Sequence, residues 1–106
     1  MFLTRGYDNP SPEEMQKRMG VFVEWMQKMS EQGRYKGGQP LEQSAGRMVV
    51  NKSQVLTDGP FMEAKEVIGG YVVVLAEDFD EAVEFAKSCP LLNHCSLEVR
   101  QLKEMN

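Results

Sequence analysis

The longest amphipathic pattern in the chain follows a loop rich in Asp, Asn and Pro. Ser11 suits the N-cap of a helix, Pro12 suits the first helical position, and Glu14 completes a capping box. Gly33 is placed for a left-handed stop, so the pattern predicts a helix from Pro12 to about Gln32. The apolar stripe, spaced four and three residues apart on one helical face, is predicted to be core: Met15, Met19, Phe22, Met26 and Met29.

A second, shorter helix is indicated near the C-terminal end. Asp78 and Glu81 form another capping box, and Pro90 marks the end of the helix. The predicted core face has helical spacing and consists of Phe79, Ala82, Val83 and Ala86, with Phe85 beside it.

Short apolar runs predict the strands. They are Met1–Gly6, the hairpin of Arg47–Asn51 and Gln54–Thr57 with its turn at Lys52–Ser53, Gly70–Ala76, and Ser96–Leu102. Lys36–Pro40 is interpreted as an irregular connection, and 58–69 as a loop. Two helices among several strands favour an α+β sandwich with both helices on one face of an antiparallel sheet, and the ferredoxin-like plan fits the order most simply.

The strand at Tyr71–Ala76 is apolar on both faces, although two helices can cover only one face of such a sheet. We therefore expect a homodimer in which two sheets pack face to face; a long loop folded over the sheet is the alternative. In the last strand Leu97 and Val99 share one face, so Glu98 and Arg100 are expected to point into the inter-sheet space. There they either line a polar pocket or form ion pairs across the dimer.

Composition limits the class of protein. The chain has 106 residues, a mass of 12.1 kDa and 42% hydrophobic residues, which fits one globular domain. A net charge of −4 argues against nucleic acid or an anionic membrane as the main partner. Two cysteines, no signal-peptide pattern and no apolar run of membrane-spanning length predict a cytoplasmic protein with reduced thiols.

The segment TDGPFMEAKEVIGGY, residues 57–71, closely resembles the signature of the DGPF-domain proteins, a branch of the YCII-related family. The resemblance continues through 79–82, 89–90 and 99–100, and upstream through 11–15 and 37–41. It implies a ferredoxin-like fold dimerised as an α+β barrel, with a cleft near the interface between the sheets.

The resemblance implies less about activity. Some relatives occur beside or fused to alternative sigma factors, and others are thought to be small enzymes. One branch resembles a hydrolase or dehalogenase with a histidine–aspartate pair, but the N-terminal strand here has no histidine. Two hypotheses follow: a domain that binds a small, anionic molecule in an inter-sheet cleft, or a non-enzymatic regulatory or protein-interaction module linked to transcription.

Two residues are candidates for proton transfer. Asp58 precedes a Gly-Pro turn, where it acts either as a general base or as an acceptor that fixes the turn. His94, the only histidine, is a candidate acid or base, although a lone loop histidine is also compatible with plain surface exposure. Cys89 and Cys95 lie nearby without metal-ligand spacing, so neither a metal nor a cofactor is predicted.

The remaining candidates would bind a ligand. Lys65 would hold an anionic group and Glu66 would orient it, unless the two form a solvated ion pair. The guanidinium forks of Arg5 and Arg100 suit a carboxylate. Trp25, beside the methionine stripe, would wall the pocket. The two arginines and the tryptophan are equally compatible with interface packing, and Glu98 is either a pocket residue or a dimer contact.

Overall fold

The computed structural model describes residues 1–6, 10–41, 46–57 and 68–103. The helices are α1, Pro12–Glu31, and α2, Phe79–Ser88, and a short 3₁₀ helix follows at Pro90–Asn93. The strands in chain order are β1 Phe2–Arg5, β2 Tyr35–Pro40, β3 Arg47–Asn51, β4 Gln54–Thr57, β5 Ile68–Val74 and β6 Ser96–Val99.

Four of the strands form one antiparallel sheet in the order β2-β5-β1-β6. With α1 joining β1 to β2 and α2 joining β5 to β6, this is the ferredoxin-like topology. Among the described residues, β3 and β4 pair with each other as a separate two-stranded ribbon, which lies between β2 and β5 along the chain. The predicted fold class is confirmed for the single chain.

Both helices begin where the capping residues predict. The Ser11 hydroxyl accepts a hydrogen bond from the Glu14 backbone N–H at 3.2 Å, and the Asp78 carboxylate accepts one from the Glu81 N–H at 2.8 Å. Gly33, at φ +72°, takes the left-handed conformation that ends α1.

The interpretation of Lys36–Pro40 as an irregular connection is wrong, because these residues belong to edge strand β2. The strand forms through backbone pairing of Gly37 with Val73 and of Gly38 with Val72. Backbone pairing does not require alternating apolar side chains, so the sequence of β2 lacks the pattern that predicts a strand. The other strand boundaries also move. β5 begins at Ile68 and ends at Val74 rather than spanning 70–76, and β6 ends at Val99 rather than at 102. Of the predicted loop, 58–67 lies outside the described residues.

The core lies between the sheet and the two helices. Its buried members come from every layer: Phe2, Trp25, Met29, Val72, Ala86 and Cys89. The indole N–H of Trp25 donates to the Ser88 hydroxyl at 2.9 Å, so this side chain joins the two helices as well as packing on the sheet.

Only part of each predicted core face is buried. Met29 is in the core, but the side chains of Met15 and Met19 are exposed, because the sheet beneath this end of α1 presents small residues and leaves a space. Phe79 is also exposed, since it is the first residue of α2 and lies beyond the core.

The opposite face of the sheet carries a second set of side chains. Register alternation places Phe2 and Val72 towards the helices, and their neighbours on the other side: Leu3, Tyr71, Val73 and Glu98. We call this surface the open face. The molecule is only 18 Å deep along its shortest axis, which is the depth of one sheet and one helix layer.

We expect Phe2→Ala to lower the free energy of unfolding by about 3–5 kcal/mol, because Phe2 has no exposed surface and touches both layers of the core. Urea denaturation followed by circular dichroism measures the change. Leu102→Ala is the matched control: its side chain is exposed, so a change within about 0.5 kcal/mol is expected. Equal losses in the two variants would contradict this assignment of the core.

Candidate functional site

A cavity of about 240 Å³ lies on the helix side of the sheet, beneath the N-terminal half of α1. We call it the α1 cavity. Its floor comes from β1, β2 and β5, and its walls come from α1 and the segment around the 3₁₀ helix. The lining residues that matter for its chemistry are Thr4, Met15, Arg18, Met19, Phe22, Tyr35, Gly38, Gln39, Gly70, Leu91, His94 and Cys95.

Two glycines form the floor where β2 and β5 approach each other closely. A Cβ on Gly38 would lie 2.7 Å from the Tyr71 carbonyl oxygen, and one on Gly70 would lie 2.8 Å from the Gln39 carbonyl oxygen. Neither position accepts a side chain without moving backbone. The sheet therefore presents bare backbone below α1, and the absent side chains leave the volume of the cavity.

The walls are mainly apolar, with a guanidinium among them. Met15, Met19 and Phe22 contribute the apolar wall from α1, and Arg18 lies among them on the same helix. The Nε of Arg18 donates to the Glu14 carboxylate at 3.3 Å, and Glu14 is not among the lining residues of the cavity. None of the described lining residues is Asp or Glu, so Arg18 gives the described lining a positive charge.

Tyr35 contributes a neutral phenol to the cavity. Its pKa is raised, first by burial and then by the neighbouring Tyr71. The hydroxyl therefore keeps its proton across the physiological range and can donate a hydrogen bond. The Thr4 hydroxyl is a further polar group at the wall, and it already donates to the Gly70 carbonyl at 3.3 Å.

His94 and Cys95 line the same cavity. Both lie between the 3₁₀ helix and β6, so strand alternation does not direct their side chains to opposite faces. The Cys95 thiol donates to the Leu91 carbonyl oxygen at 3.2 Å. Burial raises its pKa, and the positive charge of Arg18 partly opposes that rise. Burial raises the pKa of Cys89 to about 11. Both thiols are free and protonated near neutral pH, which argues against a nucleophilic role.

A second polar cluster lies on the open face, away from the cavity. Glu98 accepts from Arg100 at 3.0 Å and from Arg5 at 3.4 Å. The hydrogen bond from Arg100, and then the charges of both arginines, hold the pKa of Glu98 below its usual range. A lowered pKa stabilises the folded state above the usual carboxyl pKa, and this contribution is lost as acid protonates Glu98.

The predicted site residues do not meet at one place among the described residues. His94 lines the α1 cavity, while Arg5, Glu98 and Arg100 form the open-face cluster. Trp25 is buried in the core and does not line the cavity. The predictions for Asp58, Lys65 and Glu66 lie outside the described residues.

Arg18 is the residue that sequence reasoning missed. Its position carried a signal, because it falls between Met15 and Phe22 at spacings of three and four residues, inside the apolar stripe of α1. A guanidinium on the face directed at the sheet indicates a polar site within apolar surroundings. Tyr35 gave no such signal, because it directly precedes Lys36–Pro40, which was interpreted as an irregular connection.

Comparison with known proteins places the chain in a family. The model of the YCII-related domain matches residues 1–106. The chain belongs to the YCII-related family. A search of curated protein sequences gives no match for this YCII-related domain.

Among solved structures, the YCII-related domain is similar to 5-chloro-2-hydroxyhydroquinone dehydrochlorinase from Burkholderia phenoliruptrix AC1100 in complex with 2,5-dihydroxybenzoquinone. The two chains share 14% sequence identity with a TM-score of 0.49, and the similarity covers 94% of this chain and 91% of the other.

Two further findings concern the domain as described. No described helix has the length and apolarity needed to cross a membrane. Within the same residues, no group of three or more His, Cys, Asp or Glu side chains is arranged to hold a metal ion.

We expect Arg18→Met to slow alkylation of Cys95 by iodoacetamide several-fold at pH 8. Removing the guanidinium removes the charge that lowers the pKa of this thiol, so its reactive thiolate fraction falls. Mass spectrometry of the labelled peptides measures both rates, with Cys89 as the internal control because Arg18 is not among the causes of its pKa shift. Arg18→Lys keeps the charge and should restore the rate. An unchanged rate in Arg18→Met would show that the guanidinium does not act on the cavity.

Proposed function

We propose that this YCII-related domain binds a small, largely apolar molecule with an anionic group in the α1 cavity. One observation carries the proposal: an apolar cavity has a guanidinium in its wall and no carboxylate among its described lining residues. Concave, mainly apolar sites with a few convergent polar groups are the usual form of small-molecule sites.

The size of the cavity indicates the size of the ligand. An apolar cavity of about 150 Å³ accommodates benzene. A volume of about 240 Å³ therefore suits one substituted ring or a short branched chain. The methionine wall supports this assignment, because flexible thioether side chains adapt to ligands of differing shape.

The polar groups suggest the orientation of the ligand. An anionic group would face Arg18, where a charge-assisted hydrogen bond is strongest in apolar surroundings. The neutral phenol of Tyr35 is a second donor for the ligand. The apolar part would then lie against Met19 and Phe22, above the glycine floor.

This proposal moves the ligand from the expected inter-sheet cleft to the helix side of the sheet. It concerns binding, and proton transfer by His94 and Asp58 stays a prediction. His94 lines the cavity wall, where a bound ligand would lie within its reach.

We further propose that the domain is a homodimer of the DGPF branch that acts in the cytoplasm. The apolar side chains of the open face support dimerisation, because Tyr71 is exposed and Leu3 and Val73 are only half-buried. Full burial of a large apolar side chain that was exposed contributes about 1.5–3 kcal/mol, and these side chains would gain part of that. Glu98 would be covered together with both of its arginine partners, so its charge stays paired. The TDGPF run supports the branch, and two free thiols support a reducing compartment.

A protein-interaction function is the second candidate. The β3–β4 ribbon favours it, because its large apolar side chains are exposed. Affinity capture with the intact chain, followed by identification of stoichiometric partners, tests this function. Recovery of a partner of different sequence by the parent chain, but not by a variant with a polar ribbon, would support it over ligand binding alone.

Binding of benzoate and of its uncharged analogue benzamide tests the α1 cavity. We expect chemical-shift changes in NMR spectra to cluster at Thr4, Met19, Tyr35 and His94, with tighter binding of benzoate because Arg18 favours the anion. Arg18→Gln should remove most of the preference for benzoate.

Met19→Trp should weaken binding of both probes about tenfold or more, because the larger side chain fills the cavity. Gln27→Trp adds the same bulk to an exposed position of α1 outside the cavity and should bind like the parent. Equal weakening in the two tryptophan variants, or shifts confined to the open face, would refute the proposed site.

Val73→Lys tests the homodimer. A lysine at the centre of the open face would be buried without a partner, so we expect the dimer dissociation constant to rise about 100-fold. Light scattering on a size-exclusion column measures the mass. Val21→Lys places the same charge on an exposed position of α1 and should remain dimeric. A monomeric parent at tens of micromolar would contradict the proposed dimer.

A further inference from the structure

A second concave space lies beside the α1 cavity, between α1 and the 3₁₀ helix at Pro90–Asn93. We call it the outer groove. Its volume is about 290 Å³, comparable with that of the α1 cavity. The lining residues that matter for its chemistry are Glu14, Lys17, Arg18, Leu91, Asn93 and His94. The domain therefore has two neighbouring spaces of similar size, and the site proposed above uses one of them.

The two spaces share a boundary of three residues. Arg18, Leu91 and His94 line both the α1 cavity and the outer groove. Carbon atoms in contact lie about 3.5–4.0 Å apart, so a short linker is enough to pass one layer of side chains. None of the three residues is buried, so each has room to move aside for such a linker. A ligand that fills the α1 cavity can thus extend into the outer groove.

The outer groove carries more polar groups than the α1 cavity. Apart from His94, its charged lining groups are Lys17, Arg18 and Glu14, so one positive charge remains. Glu14 is paired with Arg18 at 3.3 Å, whereas Lys17 has no ion-pair partner among the described residues. Asn93 adds a side-chain amide, which both donates and accepts hydrogen bonds. The outer groove therefore suits an amide group and a single negative charge.

We propose that the outer groove is a second subsite for the ligand of the α1 cavity, and that this ligand is a carboxylic acid carried on a short, amide-containing arm. The inference rests on the ligand binding proposed above and names the class of the ligand. A ring or branched acyl group would occupy the α1 cavity, the arm would cross the boundary beside Arg18, and the carboxylate would lie beside Lys17. N-acylated amino acids have this composition.

Charge favours a carboxylate over a phosphate ester at this subsite. A phosphate ester carries about −1.5 to −2 near neutral pH. The Glu14 carboxylate lines the same groove and would repel the second negative charge. A carboxylate carries a single charge, which matches the unpaired ammonium of Lys17.

N-Benzoylglycine, benzoate and the uncharged N-benzoylglycinamide test the subsite. All three carry the benzene ring expected in the α1 cavity, and the glycine unit moves the carboxylate outward by about 3.8 Å, the span of one peptide. We expect N-benzoylglycine to bind about threefold or more tightly than either of the other probes in calorimetric titrations. Its chemical-shift changes in NMR spectra should extend beyond the α1 cavity to Lys17 and Asn93.

Three variants separate the two subsites. Lys17→Met and Asn93→Ala should each weaken binding of N-benzoylglycine about threefold or more and change that of benzoate less than twofold, because benzoate does not reach the outer groove. Lys28→Met is the matched control. It removes the same charge from an exposed position of α1 that lines neither space, and both probes should bind it like the parent.

Equal affinities for N-benzoylglycine and benzoate would overturn the outer subsite and leave the α1 cavity as the binding site. Equal weakening of both probes by Lys17→Met, or an equal effect of Lys28→Met, would show attraction by net charge and would overturn the subsite as well. Absence of shift changes in the α1 cavity with both probes would overturn the proposed function together with this inference.

Discussion

Two helices can cover only one face of a four-stranded sheet, and this limit shapes every surface of the molecule. On the covered face, Phe2 from β1 and Val72 from β5 pack against Trp25 of α1, and the Trp25–Ser88 hydrogen bond joins α1 to α2. On the other face the same strands present Leu3, Tyr71 and Val73. The apolar content of the central strand therefore exceeds what its own helices can bury.

The α1 cavity arises from uneven packing along one helix. The C-terminal half of α1 lies tightly on the sheet through Trp25 and Met29, where β1 and β5 present large side chains. The N-terminal half lies over Gly38 and Gly70, where close approach of the two strands excludes a Cβ. A straight helix cannot follow this step in the sheet surface, so a space remains beneath its first turns.

The two faces of the sheet carry different polar groups: Arg18 at the α1 cavity on one side, and Glu98 with its two arginines on the open face. Arg18 lies among apolar residues of the cavity wall and raises the local preference for anions. On the open face, Glu98 lies between two arginines and its charge is locally compensated. Arg18 is also paired, with the Glu14 carboxylate at 3.3 Å, but Glu14 is not among the lining residues, so Arg18 contributes a positive group to a concave and mainly apolar wall. This contrast is why we assign ligand binding to one face and association to the other.

Short-range signals in the sequence determined the local elements. Ser11, Asp78 and Gly33 specify helix ends through hydrogen bonds and backbone conformation within a few residues, so their effects are readable without the fold. The helical spacing of Met26 and Met29 likewise identified α1, and the apolar run after Gly70 identified the central strand of the sheet that α1 covers. Strand alternation alone predicted that Leu97 and Val99 lie on one face of the sheet and Glu98 on the other.

Tertiary structure decided the features that depend on distant backbone. β2 exists because its backbone pairs with β5, which no side-chain pattern in Lys36–Pro40 reveals. Met15 and Met19 line a cavity instead of the core because two glycines lie beneath them, more than 15 residues away along the chain. His94 and Cys95 face the same space as Arg18 because the 3₁₀ helix at Pro90–Asn93 turns the chain before β6. The helices and strands are specified by nearby residues. The site depends on tertiary structure, because the close approach of β2 and β5 excludes side chains at Gly38 and Gly70 and so leaves the cavity above them.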